Sequence, residues 1–337
     1  MTLQSFTEKM RPAIEDELFQ SIDRALSNHP NGLREMLAYH LGWEGQGAGP
    51  EAQGKRIRPL LALLCSVAAG GDWESALPAA AGIELIHNFS LIHDDIQDQS
   101  QLRRGRPTVW VKWGIPQAIN AGDLMFTIAH MAVLEVGRTK TAQVTLDASS
   151  LLHQACVDLT KGQYLDLAYE NEKVIPLEGY WPMVAGKTAA LLACSTEIGA
   201  LLAGCQPIRR KAFRQFGYSL GLAFQVLDDW LGIWGDTALT GKSVENDLVS
   251  GKKTLPVLYG ISQKKKFAER WISGSISPDE VTLLAKMLED EGAQAYTDAM
   301  ADQLTGDALV ALDAACDQNE AAFALHELAN QLLRRNK

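Results

Sequence analysis

The chain has 337 residues, of which 47% are hydrophobic, and it carries a formal net charge of −10. Its length and apolar content suffice for a large buried core, in one domain or two. The negative charge argues against a nucleic-acid partner, and it means that an anionic substrate must be attracted by local groups. The five cysteines are scattered, which argues against a disulfide framework or a zinc site and favours a reducing cytoplasm.

The N-terminal segment Met1–Lys9 lacks the basic and then apolar pattern of a signal peptide. The longest strongly apolar run covers residues 60–67 and is too short to cross a bilayer. We interpret this run as a buried helix. We therefore expect a soluble, cytoplasmic protein with no transmembrane segment.

Helical periodicity dominates the chain, and alternating patterns rich in β-branched residues are scarce. Segments of about 15–30 residues lie between the breaks, and such lengths suit a helical bundle. Turn-forming residues predict breaks at residues 28–31, 45–54, 70–72, 104–107, 172–176, 204–207, 235–241 and 273–278. The loosest of them, residues 45–54, is too near the N-terminus to cut off a domain. We therefore predict one all-α domain over residues 1–337.

The first chemical motif is the basic segment Gly54–Pro59. Lys55 and Arg58 are three residues apart and can face the same way, while Pro59 suits a first helical turn. Cations at a helix N-terminus oppose the helix dipole unless an anion is bound there. Taken alone, the segment is more typical of a solvated basic turn, and it gains weight only beside the aspartates that follow.

The segment His93–Asp98 carries the strongest signal. On a helix, Asp94 and Asp98 project from one face about 6 Å apart. Two carboxylates at that spacing repel each other unless cations lie with them. Oxygen ligands without His or Cys suit Mg²⁺, which proteins commonly share with substrate phosphates. Arg103 and Arg104 follow, and guanidinium groups grip phosphate bidentately. The segment therefore predicts a site for diphosphate held by Mg²⁺.

Two later segments fit the same chemistry. Lys187 and Thr188 lie among small helical residues, where a lone lysine is usually a surface group. The other segment begins with an acidic helix and continues into a lysine-rich loop. Its polar members are Gln225, Asp228, Asp229, Asp236, Lys242, Asp247, Lys252 and Lys253. Acids followed by lysines are expected where a metal ion lies beside phosphate, so this order supports the diphosphate site.

Together these segments resemble the trans-polyprenyl diphosphate synthase family, over about residues 54–253, and most of all its geranylgeranyl diphosphate synthases. The resemblance implies an all-α helical bundle of the isoprenoid synthase type with a central cavity, and a homodimer. It also implies Mg²⁺-dependent, head-to-tail condensation of isopentenyl diphosphate with an allylic diphosphate (dimethylallyl, geranyl or farnesyl).

The same resemblance implies a role for each motif residue. Asp94, Asp98 and Asp228 would hold three Mg²⁺ ions. The residues implied to bind substrate are, for the allylic diphosphate, Arg103, Lys187 and Lys242, for isopentenyl diphosphate Lys55, Arg58, His87 and Arg104, and in addition Lys252. Thr188 and Gln225 would stabilise the developing positive charge with their oxygens. The basic tail, residues 334–337, resembles one that closes over the site in some members.

The second aspartate motif departs from the family pattern. In place of DDxxD the chain has Asp228-Asp229-Trp230-Leu231-Gly232, so that glycine stands where the last aspartate is usual. We expect weaker support for the metal there but retained activity. Asp236, one helical turn further on, is a candidate to replace part of the missing carboxylate.

Two residues bear on product length. Phe89 and Ser90 stand five and four residues before Asp94, and Phe89 lies about 7.5 Å below it along a helix axis. An aromatic and then a small residue at these positions resemble the pattern of geranylgeranyl (C20) synthases. Farnesyl (C15) and longer products (C25 and above) stay open, since Phe89 is also consistent with ordinary packing.

Other functions remain possible from the sequence. A class I terpene cyclase has a second motif that residues 246–250 begin to match, but Thr254 stands where that motif needs Glu. A non-catalytic regulatory subunit is consistent with Gly232. A helical phosphohydrolase with an HD pair is disfavoured, because His40 and His87 do not have the required spacing from His93.

Overall fold

A computed structural model of the chain describes residues 1–27, 31–170, 172–235 and 247–333. These residues are helical almost throughout, and the only strands among them form one two-stranded hairpin. The helices are α1 Leu3–Leu26, α2 Asn31–His40, α3 Pro50–Gln53, α4 Ile57–Ala68, α5 Leu77–Gln97, α6 Val109–Trp113, α7 Ile115–Leu134, α8 Ala142–Glu170, α9 Tyr180–Val184, α10 Ala190–Leu202, α11 Pro207–Trp234, α12 Leu255–Ser262, α13 Lys266–Ile272, α14 Val281–Asp290, α15 Ala293–Ala315 and α16 Glu320–Leu333. The strands are β1 Leu102–Arg103 and β2 Arg106–Pro107. The predicted all-α class is confirmed.

The chain divides into two compact units. Unit 1 comprises Met1–Gln154, Cys194–Lys211 and Ala315–Leu325. Unit 2 comprises Ala155–Ala193, Ala212–Ala314 and His326–Lys337. Several helices, among them α8 and α11, contribute residues to both units. The prediction of one domain over residues 1–337 stays a prediction.

The core of unit 1 is built on α5, which packs along α7 and also contacts α1 and α4. Leu85, Ile86 and Ile92 of α5 are at most 1% exposed. Helix α4 was expected from the apolar run at residues 60–67, and Leu60–Ser66 are buried there. Packing of this apolar face fixes α5 along its length, so the C-terminal end of the helix is a rigid support for polar groups.

Helix α7 was not singled out from the sequence. With the turn that follows it, Ile115–Arg138 is the one described segment long and apolar enough to cross a membrane by length and composition. Ala121, Met125, Ile128 and Ala129 on this helix are nevertheless buried. They belong to the helix that makes the most extensive packing with α5, as expected of a core helix.

The core of unit 2 includes a close approach between α8 and the segment Ala185–Ala189, which forms a π-helical turn. A Cβ atom at Gly162 would lie 2.6 Å from the backbone carbon of Gly186 and would overlap the backbone nitrogen of Lys187. Glycine is therefore required at position 162 for the two backbones to pack at this distance. This contact determines where Lys187 and Thr188 lie relative to α8.

The predicted breaks are confirmed at residues 70–72, 172–176, 204–207 and 273–278. The predicted break at residues 28–31 falls mainly outside the described residues. The loop at residues 45–54 ends in the short helix α3. The break at residues 104–107 contains a hairpin turn, in which Arg104 and Gly105 have φ angles of 51° and 73°. Two residues with positive φ in succession suit the twist of a tight hairpin. The predicted break at residues 235–241 falls mainly outside the described residues.

Candidate active site

The first aspartate motif lies at the C-terminal end of α5 in unit 1. Asp94 is in the last full turn of the helix, and Asp98 follows it with helical backbone angles (φ −83°, ψ −2°). The backbone N–H of Asp98 donates to the carbonyl of Asp94 at 2.8 Å. The two residues are thus one helical turn apart, and residues so spaced stand on the same face of a helix.

Arg103 on β1 is held beside this motif by Asp95. Arg103 Nε donates to Asp95 Oδ1 at 2.8 Å, and Arg103 Nη2 lies 3.9 Å from Asp94 Oδ2. The Asp95 side chain is 2% exposed, and its other oxygen, Oδ2, has no hydrogen-bond partner among the described residues. Burial raises the pKa of Asp95 to about 6, although the Arg103 guanidinium opposes the shift. The hairpin therefore brings a guanidinium group to the metal-binding candidates.

Arg104 occupies the left-handed region at the tip of the hairpin (φ 51°). A non-glycine residue in this region carries a conformational cost of roughly 1–2 kcal/mol, which surrounding contacts must offset. One such contact is the hydrogen bond from Arg104 Nη1 to the carbonyl of Ala52 at 2.7 Å. This bond ties the hairpin to the segment that leads into α4, where the first basic motif begins.

The three basic residues at the start of α4, Lys55, Arg56 and Arg58, have different surroundings. Arg56 was not expected to be special, but its side chain is fully buried and pairs with Glu15 at 2.7 Å and Glu84 at 3.0 Å. Arg58 Nε is buried and has no hydrogen-bond partner in the part of the chain that the structure describes. Burial lowers the pKa of Arg58 while Glu84 raises it. Lys55 is exposed. Arg56 is thus structural, and Lys55 and Arg58 remain the candidates for anion binding.

His87 lies on α5, seven residues before Asp94. Burial lowers its pKa well below the ordinary value, and the positive charges of Arg58 and Arg104 lower it further. The imidazole is therefore neutral at pH 7 and can donate one hydrogen bond to an anion without adding charge. Arg58, Arg104 and His87 all belong to unit 1, and their mutual electrostatic influence shows that the structure brings them together.

Phe89 and Ser90 lie on α5 as expected, and the contacts of Phe89 are now defined. Its ring packs edge-on against Phe126 of α7, with centroids 5.0 Å apart. Phe126 in turn packs against His130 at 4.5 Å. The Ser90 hydroxyl donates to the carbonyl of His87 at 2.8 Å. A second aromatic residue behind Phe89 was missed, because contact between α5 and α7 is not encoded in local spacing.

Lys187 and Thr188 lie in the π-helical turn of unit 2. Lys187 Nζ forms an ion pair with Asp166 of α8. The Thr188 hydroxyl donates to Gln225 Oε1 at 2.8 Å, which joins two predicted site residues. Single π-helical turns occur frequently at functional sites. Asp166 was missed, although it lies one helical turn after Gly162, the glycine that permits the close approach.

Asp228 and Asp229 lie on α11, and only Asp229 is buried, at 5% exposure. Asp229 Oδ2 accepts from the Tyr180 hydroxyl at 2.7 Å and from the backbone N–H of Leu255 at 3.0 Å. Asp229 Oδ1 accepts from Gln225 Nε2 at 2.9 Å. Burial raises the pKa of Asp229 to about 7 against the opposing effect of these hydrogen bonds. Because the amide of Gln225 donates to Asp229, its oxygen is left to face Thr188.

Several predicted residues lie outside the described ranges: Asp236, Lys242 and the tail at residues 334–337. Lys252 is described, and its backbone N–H donates to the carbonyl of Asp247 at 3.0 Å. Gly232 is also described, and a Cβ atom there would lie 2.9 Å from Cγ of Asp247. A carboxylate is therefore present beside the position at which the motif lacks one.

Each unit offers carboxylate oxygens that fit a hard divalent cation shared with a ligand. In unit 1 these belong to Asp94 and Asp98, and in unit 2 to Asp228, with the Asp247 carboxylate filling the space beside Gly232. Within the described ranges, no three Asp, Glu, His or Cys side chains are close enough to hold a metal on their own. Mg²⁺ is usually bound in this way, by one or two carboxylates with the remaining positions taken by water and substrate phosphate.

Comparison with known proteins agrees with this chemistry. The family model for polyprenyl synthetase matches residues 49–289. The (2E,6E)-farnesyl diphosphate synthase of Mycobacterium tuberculosis is 40% identical over 279 residues, which cover 80% of this chain and 77% of that protein. The geranylgeranyl diphosphate synthase of the same organism is 36% identical over 310 residues, which cover 86% of this chain and 88% of that protein.

Solved structures extend the likeness to the whole chain. A crystal structure of polyprenyl synthetase from Streptomyces coelicolor has a TM-score of 0.88 at 34% identity, and the match covers 98% of this chain and 99% of that one. Geranylgeranyl pyrophosphate synthase from Corynebacterium glutamicum, in complex with isoprenyl diphosphate and magnesium, has a TM-score of 0.84 at 27% identity, with both chains fully covered. The fold is thus that of a helical prenyltransferase. The chain belongs to the polyprenyl synthetase family.

Proposed function

We propose that the chain is a Mg²⁺-dependent trans-prenyltransferase that makes all-trans geranylgeranyl diphosphate (C20). Its substrates would be isopentenyl diphosphate and an allylic diphosphate (dimethylallyl, geranyl or farnesyl). The observation that carries the proposal is the end of α5, where Asp94 lies beside Arg103 and one turn before Asp98. Oxygen ligands and a guanidinium group in one place suit a diphosphate bound together with a metal ion.

The reaction exchanges one bond for another. The allylic C1–O bond breaks, and its electron pair leaves with the diphosphate. The double bond of isopentenyl diphosphate then forms the new carbon–carbon bond, and one proton is lost to the departing diphosphate. Asp94, Asp98 and Asp228 would hold three Mg²⁺ ions when substrate is bound. These ions would supply positive charge that stabilises the leaving group.

Residues of unit 1 bind and orient the diphosphates in this proposal. Arg103 binds the allylic diphosphate, fixed in orientation by its hydrogen bond to Asp95. Lys55, Arg58, His87 and Arg104 bind isopentenyl diphosphate. His87 is neutral because burial and the arginines lower its pKa, so it contributes a hydrogen bond and leaves the positive charge to its neighbours.

Residues of unit 2 supply positive charge and oriented dipoles for the same reaction. Lys187, with Lys242 and Lys252, binds diphosphate, and Asp166 holds the Lys187 ammonium in place until substrate arrives. The oxygens of Thr188 and Gln225 stabilise positive charge on the allylic carbon, because preorganised dipoles need no rearrangement when the charge appears. The bond from Gln225 to Asp229 supports this role, since it orients the amide.

The C20 product rests on the aromatic wall of α5 and α7. Phe89 contacts Phe126, and Phe126 contacts His130, so truncation of Phe89 alone leaves a second ring behind it. We expect Phe89→Ala to lengthen the product by a limited number of isoprene units and Phe89→Ala/Phe126→Ala to lengthen it further. Chromatography of the dephosphorylated products measures this, and Phe267→Ala, a buried aromatic in unit 2, is the matched control. An unchanged distribution in the double variant would show that the floor lies elsewhere.

Incubation of the purified protein with Mg²⁺, isopentenyl diphosphate and each allylic primer tests the proposed function. Geranylgeranyl diphosphate as the main product supports it, and a C15 or C25 product corrects only the chain length. A cyclised hydrocarbon would indicate a class I terpene cyclase. No turnover with any primer would indicate a non-catalytic regulatory subunit.

We also propose a soluble, cytoplasmic homodimer. Ile115, Ile119 and Leu134 of α7 and Leu146 of α8 are between 42% and 59% exposed. Ile115 and Ile119 are one helical turn apart, and exposed apolar side chains on one helix face are expected at a protein–protein interface. Light scattering after gel filtration measures the mass, and a monomer at micromolar concentration would contradict the dimer.

A further inference from the structure

The second aspartate motif lacks its last carboxylate, and the structure contains a replacement. Gly232 is four residues after Asp228 on α11, so the two positions lie on one face of the helix, a turn apart. A side chain at residue 232 would therefore stand next to the Asp228 carboxylate. In this chain residue 232 is glycine, whose side chain is a single hydrogen atom.

The carboxylate of Asp247 occupies the space that a residue-232 side chain would enter. A Cβ atom built on Gly232 would overlap Asp247 Oδ2 and would lie 2.9 Å from Asp247 Cγ and 3.6 Å from Asp247 Oδ1. Only a residue without a Cβ atom permits this approach. The glycine and the aspartate are thus coupled, because Asp247 can reach the helix only where position 232 has no side chain.

The backbone of Asp247 is fixed by its surroundings. Its carbonyl accepts from the backbone N–H of Lys252 at 3.0 Å and from the Ser250 hydroxyl at 3.2 Å. The next residue, Leu248, is completely buried. An aspartate anchored by a buried neighbour and a closed turn has little freedom, which distinguishes it from a mobile surface acid.

Asp228, Gly232 and Asp247 all belong to unit 2, so the arrangement lies within one compact unit.

We propose that Asp247 supplies, from the loop before α12, the carboxylate that the last aspartate supplies in a DDxxD motif. Together with Asp228 it binds, directly or through one water, the divalent cation of the second motif. This inference rests on the proposed function. It explains Gly232 as one half of an exchange of carboxylates, while the expectation for Asp236, outside the described residues, stays a prediction.

The exchange can be tested by moving the carboxylate back onto the helix. We expect Asp247→Asn to weaken Mn²⁺ binding by about tenfold, which corresponds to about 1.4 kcal/mol. The measurement is calorimetry with Mn²⁺ in the presence of an unreactive thio analogue of farnesyl diphosphate. Gly232→Asp alone should also weaken binding, because its side chain overlaps Asp247. Gly232→Asp/Asp247→Asn should recover most of the affinity, and Asp290→Asn, an exposed acid on α14, should change nothing.

Two results would overturn the proposal. One is Mn²⁺ affinity of Asp247→Asn within twofold of the wild type, and the other is a double variant no better than either single one. If Asp247→Asn does not fold, crystals of the wild type with Mn²⁺ and the analogue decide the question. An anomalous peak with neither Asp247 nor a water bound to Asp247 in its coordination shell would refute it. Wild-type protein that binds Mn²⁺ but turns over no primer would count against the proposed function and leave this binding test intact.

Discussion

Each unit carries a pair of adjacent aspartates on a helix, Asp94–Asp95 on α5 and Asp228–Asp229 on α11. Consecutive residues of a helix point about 100° apart, so the two members of a pair face different surroundings. In both pairs it is the second aspartate that is buried, with exposures of 1% for Asp95 and 5% for Asp229. Burial raises the pKa of both, to about 6 and about 7.

The two buried aspartates differ in their partners. Asp95 has one donor, Arg103 on the hairpin, and one oxygen without a hydrogen-bond partner in the described ranges. Asp229 has three donors, from Tyr180, Gln225 and the backbone of Leu255, and both its oxygens are used. The same dipeptide thus serves two purposes. On α5 its second member positions a cationic side chain, and on α11 its second member joins three segments of unit 2.

The largest effect is expected from the first member of each pair. Asp94→Ala and Asp228→Ala remove proposed metal ligands, and each should lower turnover by two orders of magnitude or more, since about 1.4 kcal/mol of barrier is tenfold. Asp95→Asn keeps the shape of the side chain and should lower turnover less than either. Initial rates with farnesyl diphosphate as primer, on variants with wild-type thermal unfolding, measure this. Asp94→Ala within a few-fold of wild type would remove the basis of the comparison.

Stability should separate the second members. Asp229→Ala leaves three donors without an acceptor, two of them buried, and we expect a loss of about 3–5 kcal/mol in the free energy of unfolding. Asp95→Ala removes only the hydrogen-bond acceptor of the partly exposed Arg103, which still lies 3.9 Å from Asp94, and we expect about 1–2 kcal/mol. Urea unfolding followed by circular dichroism provides both values. Equal losses would mean that the number of hydrogen-bond donors does not explain the difference between the pairs.

How much of the fold and the site could be predicted depends on how far apart in the sequence the interacting residues lie. Local spacing was enough for α4, for α5 and for the stacking of Asp94 above Asp98. Arg56 looked like one more basic residue, because its partners Glu15 and Glu84 are 41 and 28 residues away. The hairpin was missed because two-residue strands have no alternation to detect. Asp247 was visible in the sequence, but only tertiary structure places it against Gly232.

A smaller effect should follow from removing a single donor to Asp229. Tyr180→Phe deletes one hydroxyl and keeps the buried ring, so we expect a loss of about 1 kcal/mol in the free energy of unfolding. Gln225 keeps its own bond to Asp229, so its orientation should persist. The KM values should stay near those of the wild type, with kcat lowered by less than tenfold.

Tyr296→Phe is the matched control, because Tyr296 stacks on Tyr259 without contact to Asp229. A fall in kcat as large as that of Asp228→Ala would show that Tyr180 belongs to the reacting site rather than to its support. If Tyr180→Phe loses no stability, a water molecule donates to Asp229 in place of the Tyr180 hydroxyl.

The last effect is a pH dependence of stability at His40, which lines a pocket in unit 1 together with Asp95 and Arg103. Burial lowers the pKa of His40 well below the ordinary value, and the charges of Arg103, Arg104, Arg56 and Arg106 lower it further. The unfolded chain therefore binds a proton near pH 6.5 that the folded protein does not bind. The stability that neutral His40 contributes is fully present above that pH and is lost as the pH falls below it.

Between pH 7.5 and 5.5 this loss amounts to at most about 1.4 kcal/mol for one histidine. His40→Gln cannot take up the proton, so its free energy of unfolding should fall less than that of the wild type over the same interval. Urea unfolding at pH 7.5 and at pH 5.5 measures the difference. Parallel losses in both proteins would show that His40 accepts a proton in the folded state. The pocket that His40 lines with Asp95 and Arg103 would then hold a charged imidazole beside its arginines.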